Sequence, residues 1–327
     1  MQSPFQVFEL PIRAYTVEEH CQALVDMRRL PFWWHLGTHS IYGNYSVPFK
    51  DGNGVWWYQV KPGLCWPVEF YQPIPMNGSH PNIWKSYLGY QHITPNEEDA
   101  DSHLVVNSII DLKNYKLELL DKRRRTKVRT GLKNCSVEML KQYDQNTVND
   151  CLDAWNDLVR RTGWRTICSN KQFSETWRML LEIPGISILV ARDRETKRAW
   201  GFQILKVIGD TIYGDTIAVH SDGLHAQAND VLYYAWLSTG ARIPEVTKAN
   251  AALKSNVKSL EAFKIGIGFK HVVFPAVTRL RAPASIILRT FLPKKYKRMI
   301  GQFEESTEVS KYSAECSESN VEGNFKS

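Results

Sequence analysis

The sequence predicts an α+β protein, and three observations carry that prediction. Helix-like and strand-like segments alternate in the second half, a β-hairpin pattern occurs in the first half, and the composition is that of a globular chain. The 327 residues are 43% hydrophobic and 23% charged, which suits two domains or two halves packed as one body. These values exclude disordered, collagen-like and disulfide-scaffold chains.

Membrane and secretory signals are not expected in this chain. No apolar run approaches the ~20 residues that a transmembrane helix needs, and residues 1–15 lack a basic segment followed by an apolar one. The six cysteines are scattered without CxxC spacing, which argues against a zinc site or a disulfide framework and favours a reducing compartment. We therefore expect a cytoplasmic protein without a metal.

Charge is unevenly distributed along the chain. The net charge is +7, but residues 302–327 contain six Glu and two Lys and contribute −4, which leaves +11 on the rest. We expect that acidic, Ser-rich tail to be disordered. The basic body suits an acidic ligand, such as a phosphate-bearing cofactor, a nucleotide-linked substrate or RNA.

The basic residues concentrate in one segment, where seven of the twelve residues 122–133 are Lys or Arg. The stretch from 113 to 130 lacks Pro and Gly, which predicts a helix. That helix is either a solvated connector or an anion-binding helix, because the planar guanidinium of Arg can bind two phosphate oxygens. The best candidates for outward-facing anion contacts are Arg124, Arg125 and Arg129.

The first half predicts a helix followed by a hairpin. Thr16 and Glu19 form a capping-box pattern that opens a helix, and two Asx-Gly pairs at 51–54 lie between β-favouring runs. Residues 32–71 hold twelve aromatic side chains. These form either a ligand-stacking surface or, as we favour, the core of a twisted sheet.

The second half reads as an alternating series of elements. The predicted order is helix, helix, three strands, helix, strand, helix and strand. Ser169 and Gln172 form a second capping-box pattern, a Pro-Gly pair at 184–185 ends that helix, and residues 209–210 make a tight hairpin turn. The predicted elements cover residues 147–162, 170–183, 186–192, 199–208, 211–220, 231–241, 245–251, 255–269 and 270–280.

This order resembles that of the GNAT acyltransferase fold, and three local patterns are similar to its FemAB-type branch, the peptidoglycan-bridge transferases. The basic segment 123–140 resembles the stretch that leads into the second domain of that branch. Residues 160–163 resemble its Arg-x-Gly pattern. Residues 259–269 resemble its Phe-Lys-x-x-x-Gly-Phe signature, with matches at Phe263, Lys264, Gly268 and Phe269.

The resemblance covers residues 105–280 well and the preceding residues only loosely. It implies a GNAT-like fold of two GNAT-like halves, the first of them degenerate, joined by the basic helix. The implied parts are a degenerate half, a connecting helix, an acyltransferase domain, and a basic edge with the acidic tail. These parts span residues 1–112, 113–134, 135–292 and 293–327 respectively.

The resemblance also implies acyl transfer to an amine or a hydroxyl, without a tightly bound cofactor. GNAT enzymes take the acyl group from acyl-CoA, FemAB-type enzymes take an amino acid from charged tRNA, and related members act on cell-envelope or polysaccharide precursors. The strand 211–220 is expected to diverge from its neighbour and to expose main-chain N–H groups that polarise the donor carbonyl. Contacts with the donor are expected from Ile217, Val219, Gly223, His225 and Asn229.

Three side chains are candidates for the chemistry. Asp215 lies in the middle of the strand, where a base would reach an attacking amine, unless the alternating register turns it to solvent. His220, at the strand end, is the second candidate because histidine is a common general base, or it is a hydrogen-bonded surface residue. Lys264 either holds a phosphate or carboxylate of the substrate or lies on a helix surface.

The loop at 221–230 departs from the acetyl-CoA pattern, because it has one glycine and two acids, and Asp222 facing inward would repel a pyrophosphate. The donor can therefore be an aminoacyl-tRNA, with tRNA as a partner and a small molecule or glycan precursor as acceptor. A non-catalytic binding module and an RNA-binding protein remain the alternatives.

Residues 286–300 mix apolar and basic side chains. This mixture favours a helix or strand that packs on the body over a peripheral membrane segment. We expect no stable membrane insertion, and the oligomeric state stays open.

Overall fold

The computed structural model describes residues 12–26, 47–75, 78–163 and 167–300, and it confirms the α+β prediction. Its helices are α1 (Val17–Asp26), α2 (Lys122–Asn134), α3 (Gln145–Thr162), α4 (Asn170–Glu182), α5 (Ser221–His225), α6 (Ala228–Gly240), α7 (Lys258–Gly266), α8 (Ala282–Phe291) and α9 (Pro293–Met299). Its strands are β1 (Phe49–Lys50), β2 (Trp56–Lys61), β3 (Leu64–Pro67), β4 (Gly89–Ile93), β5 (Ser102–Ile109), β6 (Cys135–Met139), β7 (Ile186–Asp193), β8 (Ala199–Ile208), β9 (Thr211–Val219), β10 (Lys248–Leu253) and β11 (Lys270–Leu280).

The described strands form one eleven-stranded sheet in the order β1-β2-β3-β4-β11-β5-β10-β9-β8-β7-β6. β7, β8 and β9 form an antiparallel meander, and β6 adds to its outer edge. β10 then lies parallel to β9, while β11 inserts between β4 and β5 of the N-terminal half. Because one sheet runs through both halves, the division into parts at residues 112 and 135 stays a prediction.

Helices cover both faces of the C-terminal part of the sheet. α2 and α6 pack on one face, where Leu132 and Trp236 share a buried cluster with Leu205 of β8. α3 and α4 pack on the other face, where Trp177 contacts Phe202 of the same strand. Successive side chains of a strand point to opposite faces, so a single strand contributes to both cores.

Local sequence signals mark the helix ends as predicted. The Glu19 amide donates to Thr16 Oγ1 at 3.1 Å, and the Thr16 amide donates to Glu19 Oε2 at 2.8 Å, which is a capping box at α1. Ser169 and Gln172 form the same reciprocal arrangement at α4. Gly163 ends α3 with a φ of 60°, in the left-handed region that favours glycine.

The basic helix begins later than the sequence predicted. Residues 112–114 and 117–119 form two short 3-10 turns, and α2 begins only at Lys122. The Asp121 carboxylate accepts the Arg124 amide at 2.7 Å and so caps the helix at that point. The lack of Pro and Gly allows a helix from 113 but does not indicate where one begins.

The predicted hairpin of the first half is present in its described part. Phe49 pairs with Trp57 across the turn at 51–54, and Trp57 is fully buried with its ring 5.9 Å from that of Tyr90. The described aromatic residues of this region therefore build core, as favoured. The predictions for residues 1–11, 32–45 and 302–327 concern parts outside the described residues.

Two further predictions concern cysteines and the membrane. Among the described residues the cysteines are free and buried, at positions Cys21, Cys65, Cys135, Cys151 and Cys168. Within residues 12–26, 47–75, 78–163 and 167–300, every helix is too short or too polar to span a bilayer.

A buried histidine anchors α1 to the C-terminal part of the sheet. His20 has no exposed surface, and its Nδ1 donates to the carbonyl oxygen of Pro184, 2.6 Å away, in the link between α4 and β7. Burial and the charge of Lys206 lower the pKa of His20 to about 3, although the Pro184 carbonyl opposes this shift. The imidazole is therefore neutral in the folded protein at neutral pH.

Acid is expected to destabilise the protein through His20. Between pH 6.5 and 3 the unfolded chain binds a proton at His20 that the folded chain does not, so stability present above pH 6.5 is lost as the pH falls. From neutral pH to pH ~4.5, urea unfolding should show wild type losing about 2–3 kcal/mol more than a His20→Gln variant. Equal losses in the two proteins would contradict this assignment.

Candidate functional site

The candidate site is centred where β9 and β10 separate. The two strands pair in parallel at three positions, the last of which joins Tyr213 to Asn250. Beyond that position β9 continues to Val219 against β8, whereas β10 stays paired with β5, from Ala249 to Leu253. The divergence predicted for the strand at 211–220 is therefore present, and we call the place past Tyr213 where the two strands no longer pair the opening.

Each arm of this opening carries a backbone irregularity. The register of β9 shifts opposite Ile204 and Leu205 of β8, which makes Asp215 an additional, bulged residue. On β10, Ala252 has a φ of 67°, and the register towards β5 shifts around it. Residues 214–217 are half-buried, although the ends of the same strand are buried. The bulge thus presents Asp215 where the strand leaves its neighbour.

Asp215 lies beside a buried lysine. Lys206 of β8 is 1% exposed, and its Nζ donates to the Val68 carbonyl at 3.4 Å and lies 4.2 Å above the ring of Tyr213. Burial lowers the pKa of Lys206 to about 8, while the charge of Asp215 opposes this shift. At neutral pH the lysine therefore keeps its proton and places a positive charge beside Asp215. The Thr216 hydroxyl also donates to Asp215 Oδ2, at 3.3 Å.

His220 caps the helix that follows β9. Its Nδ1 accepts the Asp222 amide at 3.3 Å and lies 3.2 Å from the Asp222 carboxylate. Asp222 is exposed and also lies 3.9 Å from Arg198, so it does not face inward as a repulsive group. In this arrangement His220 supports the loop, and its catalytic role stays a prediction.

A carboxylate occupies the start of the predicted donor loop. Asp157 Oδ2 accepts the amide of Ser221 at 3.0 Å and its hydroxyl at 2.9 Å, and Arg161 Nε lies 2.8 Å from the same oxygen. Burial would raise the pKa of Asp157, but the hydrogen bonds from Arg161 and Ser221 hold it below its usual value. An ionised carboxylate thus takes the place at a helix start that attracts phosphates in other proteins.

The rest of the donor loop is also bonded within itself. Main-chain amides that donate to carbonyls of the same loop belong to Leu224, Ala226 and Gln227. Gly223 is buried against Trp200. The contact is close enough that a Cβ at position 223 would lie only 2.7 Å from the Trp200 Cβ. The other predicted donor contacts differ in exposure, with Val219 buried, Ile217 and Asn229 half-buried, and His225 exposed. These amides are poorly placed to bind a pyrophosphate.

The arginines of α2 do not converge on one external anion site. The Arg124 guanidinium forms an ion pair with the buried Asp230 of α6 and lies 4.4 Å over the ring of Phe263 of α7. Arg125 donates to the carbonyl of Glu118 at 3.2 Å. Arg129 is exposed on the far turn of the helix. Arg124, expected to face outward, instead connects three helices.

Lys264 contributes a buried ammonium group at the β10 arm of the opening. It is 5% exposed, and its Nζ donates at 2.9 Å to the carbonyl of Ala251. Ala251 directly follows Asn250, the last residue of β10 that pairs with β9. Glu261 lies 3.6 Å away and also binds His271 at 2.9 Å. Burial would raise the pKa of Glu261, but Lys264 and its hydrogen bonds lower it. The helix-surface alternative for Lys264 is therefore excluded.

Sequence reasoning missed Glu261 and Lys206, which lie beside Lys264 and Asp215, and it missed the buried Asn107. Asn107 is fully buried on β5 opposite His271, and neither polar atom of its amide has a hydrogen-bond partner among the described residues. Lys206 lies within an apolar strand. An Asn or Lys inside an apolar run is a signal that could have found both residues. No group of three or more potential metal ligands occurs in the described ranges.

Comparisons with known proteins identify the fold. No protein-family model and no curated protein sequence matches this chain. The crystal structure of FemX is similar with a TM-score of 0.52 and 12% identity, over 85% of this chain and 98% of that one. The C-terminal domain of a predicted lysylphosphatidylglycerol synthetase from Agrobacterium fabrum gives 0.51 and 13%, over 88% and 99%.

A conserved protein of unknown function from Bacteroides thetaiotaomicron is similar to the same degree, with a TM-score of 0.51 and 11% identity over 83% of this chain and all of that one. At such identities the likeness concerns the fold, and it extends over nearly the full length of each of these structures. The chain therefore has the same fold as FemX and the Agrobacterium domain, in line with its resemblance to FemAB-type proteins.

Proposed function

We propose that this protein is an acyltransferase that moves an aminoacyl group from a charged tRNA to an amine or hydroxyl of a cell-envelope or polysaccharide precursor. The observation that carries the proposal is the opening between β9 and β10. Past Tyr213 the main-chain N–H groups on that side of β9 face no strand of the described sheet. Such donors would stabilise the negative charge that develops on a carbonyl oxygen during acyl transfer.

The likeness to known proteins supports the same class of reaction. FemAB-type enzymes, which the sequence resembles at residues 259–269, transfer amino acids from tRNA. The Agrobacterium protein with this fold is named as a synthetase of lysylphosphatidylglycerol, a lipid that carries an aminoacyl group. Both comparisons favour an aminoacyl group as the transferred unit and an envelope component as the acceptor.

The donor loop favours an aminoacyl-tRNA over acyl-CoA. A pyrophosphate needs unoccupied amides at a helix start, whereas Asp157 and internal hydrogen bonds occupy those of α5. The exposed basic side chains of α2 suit the repeated phosphates of an RNA backbone instead. These exposed side chains are Lys122, Arg123, Arg129 and Lys133.

The residues at the opening suit the steps of the reaction. Asp215 would take the proton from the attacking amine or hydroxyl as that atom bonds to the carbonyl carbon. The ester oxygen of the tRNA ribose then leaves and takes that proton from Asp215, which returns to its carboxylate form. Lys206 would place a positive charge beside Asp215, and Lys264 would fix the main chain of the β10 arm through Ala251.

A transfer assay tests the proposal. Purified protein is incubated separately with labelled aminoacyl-tRNA and labelled acyl-CoA, each with amine-bearing and hydroxyl-bearing envelope precursors. We expect label to move to the acceptor from the tRNA and not from CoA. Transfer from acyl-CoA alone would contradict the donor assignment. If neither donor binds or reacts at saturating concentration, the chain is a binding module, which the occupied donor loop also allows.

A further inference from the structure

An exposed apolar surface lies where the start of α8 meets the segment 82–88. The main-chain amide of Arg281, which precedes α8, donates to the carbonyl of Leu88 at 3.1 Å. Leu280 pairs with Gly89 one position away. The two segments are therefore neighbours at one end of β4 and β11. We call the surface formed by residues 82–88 and 281–292 the α8 surface.

Large apolar side chains of the α8 surface are directed to solvent. Trp84 is 84% exposed and Phe291 is 74% exposed. The other exposed members are Ile83, Tyr87, Leu88, Ile286, Ile287 and Leu292. Single exposed apolar side chains are ordinary on a protein surface, whereas a cluster on two adjoining segments marks an interaction site.

Helix α8 packs on the protein through its inner side and leaves an apolar outer side exposed. Ala284 is buried and Leu288 is half-buried on the inner side of the helix, while Ile286, Ile287 and Phe291 lie on its outer side. The helix is amphipathic, but its outer side is apolar as well as basic. Ordinary surface helices place polar residues there.

α9 fixes α8 against the sheet. The Arg289 guanidinium of α8 lies 4.9 Å from the ring centre of Tyr296 of α9. At the end of α9, the Met299 carbonyl accepts a hydrogen bond from Gln91 of β4 at 2.6 Å. The outward position of Phe291 is thus set by packing at both ends of the helix pair.

The segments that form the α8 surface carry charge of one sign, although Asp101, which directly precedes β5, pairs with Arg279 at 3.1 Å. Residues 279–300 include seven Lys or Arg and no acid, and residues 78–94 include one Lys and no acid. The basic side chains exposed on these segments include Lys85, Arg281, Arg289, Lys294 and Lys297. A partner must therefore offer negative charge together with an apolar phase that can bury exposed apolar side chains of both segments.

We propose that the α8 surface binds the anionic face of a lipid bilayer. Trp84, Ile287 and Phe291 enter the boundary between headgroups and acyl chains, and the basic side chains contact lipid phosphates. A nucleic acid supplies the negative charge but does not bury aliphatic side chains. A second copy of the chain buries them but brings two basic surfaces together.

The test is flotation of the full chain with phospholipid vesicles. We expect binding to vesicles of phosphatidylglycerol mixed with phosphatidylcholine, weaker binding as salt rises, and little binding to phosphatidylcholine alone. The double variant Ile287→Asp/Phe291→Asp should lower the partition coefficient by about tenfold or more. The matched control is Leu119→Asp, since Leu119 is 65% exposed in the link before α2, and it should bind like wild type.

Several results would overturn the membrane assignment. Binding that persists in the double variant would show that the apolar side chains are not inserted. A wild-type dimer that the double variant dissociates, without vesicle binding, would assign the surface to a second copy, and binding to RNA alone would assign it to nucleic acid. Circular dichroism melting confirms that each variant folds. Because the assay needs no acyl donor, its outcome is independent of the proposed function.

Discussion

Asp215→Asn is expected to lower kcat for aminoacyl transfer by about 10²–10⁴-fold. The amide keeps the size of the side chain and can still accept from Thr216, but it cannot take a proton from the attacking group. Binding of the aminoacyl-tRNA should change little, because Asp215 lies on the arm of the opening and not on α2. Single-turnover transfer rates and tRNA dissociation constants measure the two quantities separately.

The pH dependence separates a base from a structural residue. Wild-type kcat/KM should fall on the acidic side as Asp215 takes up a proton, and the Asp215→Asn variant should lose that limb of the profile. Asp153→Asn is the matched control, because it makes the same chemical change at a carboxylate that is 59% exposed in an ion pair with Arg198. Transfer by Asp215→Asn within roughly tenfold of wild type would remove Asp215 from the mechanism.

Arg124→Met is expected to destabilise the protein by about 3–5 kcal/mol, because it leaves the Asp230 carboxylate buried without its cationic partner. The side chains of Arg124 and Asp230 are only 14% and 7% exposed, so solvent compensates little for the loss. The variant also removes the contact with Phe263 that connects α2 to α7. Urea unfolding followed by circular dichroism measures the change.

A second substitution, at Asp230, identifies the cause of the lost stability. Arg124→Met combined with Asp230→Leu should recover most of the lost stability, because no uncompensated charge then stays buried. The control Arg198→Met breaks an exposed ion pair, whose partners are 40% and 59% exposed, and should cost less than about 1 kcal/mol. If Arg124→Met costs no more than this control, the pair does not hold the helices together.

Local patterns predicted most elements of the second half because their signals come from neighbours in sequence. Capping boxes at Thr16 and Ser169 involve residues three positions apart, and the tight turn at 209–210 joins two strands that pair directly. Such short-range interactions form in the same way whatever the remaining chain does. The start of α2 was misplaced because its cap, Asp121, is a single residue in a segment without periodic apolar positions.

The candidate site could be predicted only in part. The divergence of β9 and the position of Asp215 within it followed from the resemblance to a known fold, and the structure has that divergence. The charges around the site did not follow, because Lys206 lies on β8 and Glu261 on α7, far apart in the sequence. No spacing along the chain shows that Asp157 of α3 would occupy the helix start at Ser221.

The printed order of residues was thus sufficient for the helix caps at Thr16 and Ser169, the turn at 209–210 and the strand that bears Asp215, since each depends on contacts over a few positions. Folding in three dimensions decided which charges meet. It turned Arg124 inward to Asp230 and buried Lys264 against the β10 arm. It also left the outer side of α8 uncovered. These outcomes depend on pairings between residues far apart in the chain, whose burial energy and electrostatics exist only once the sheet has assembled.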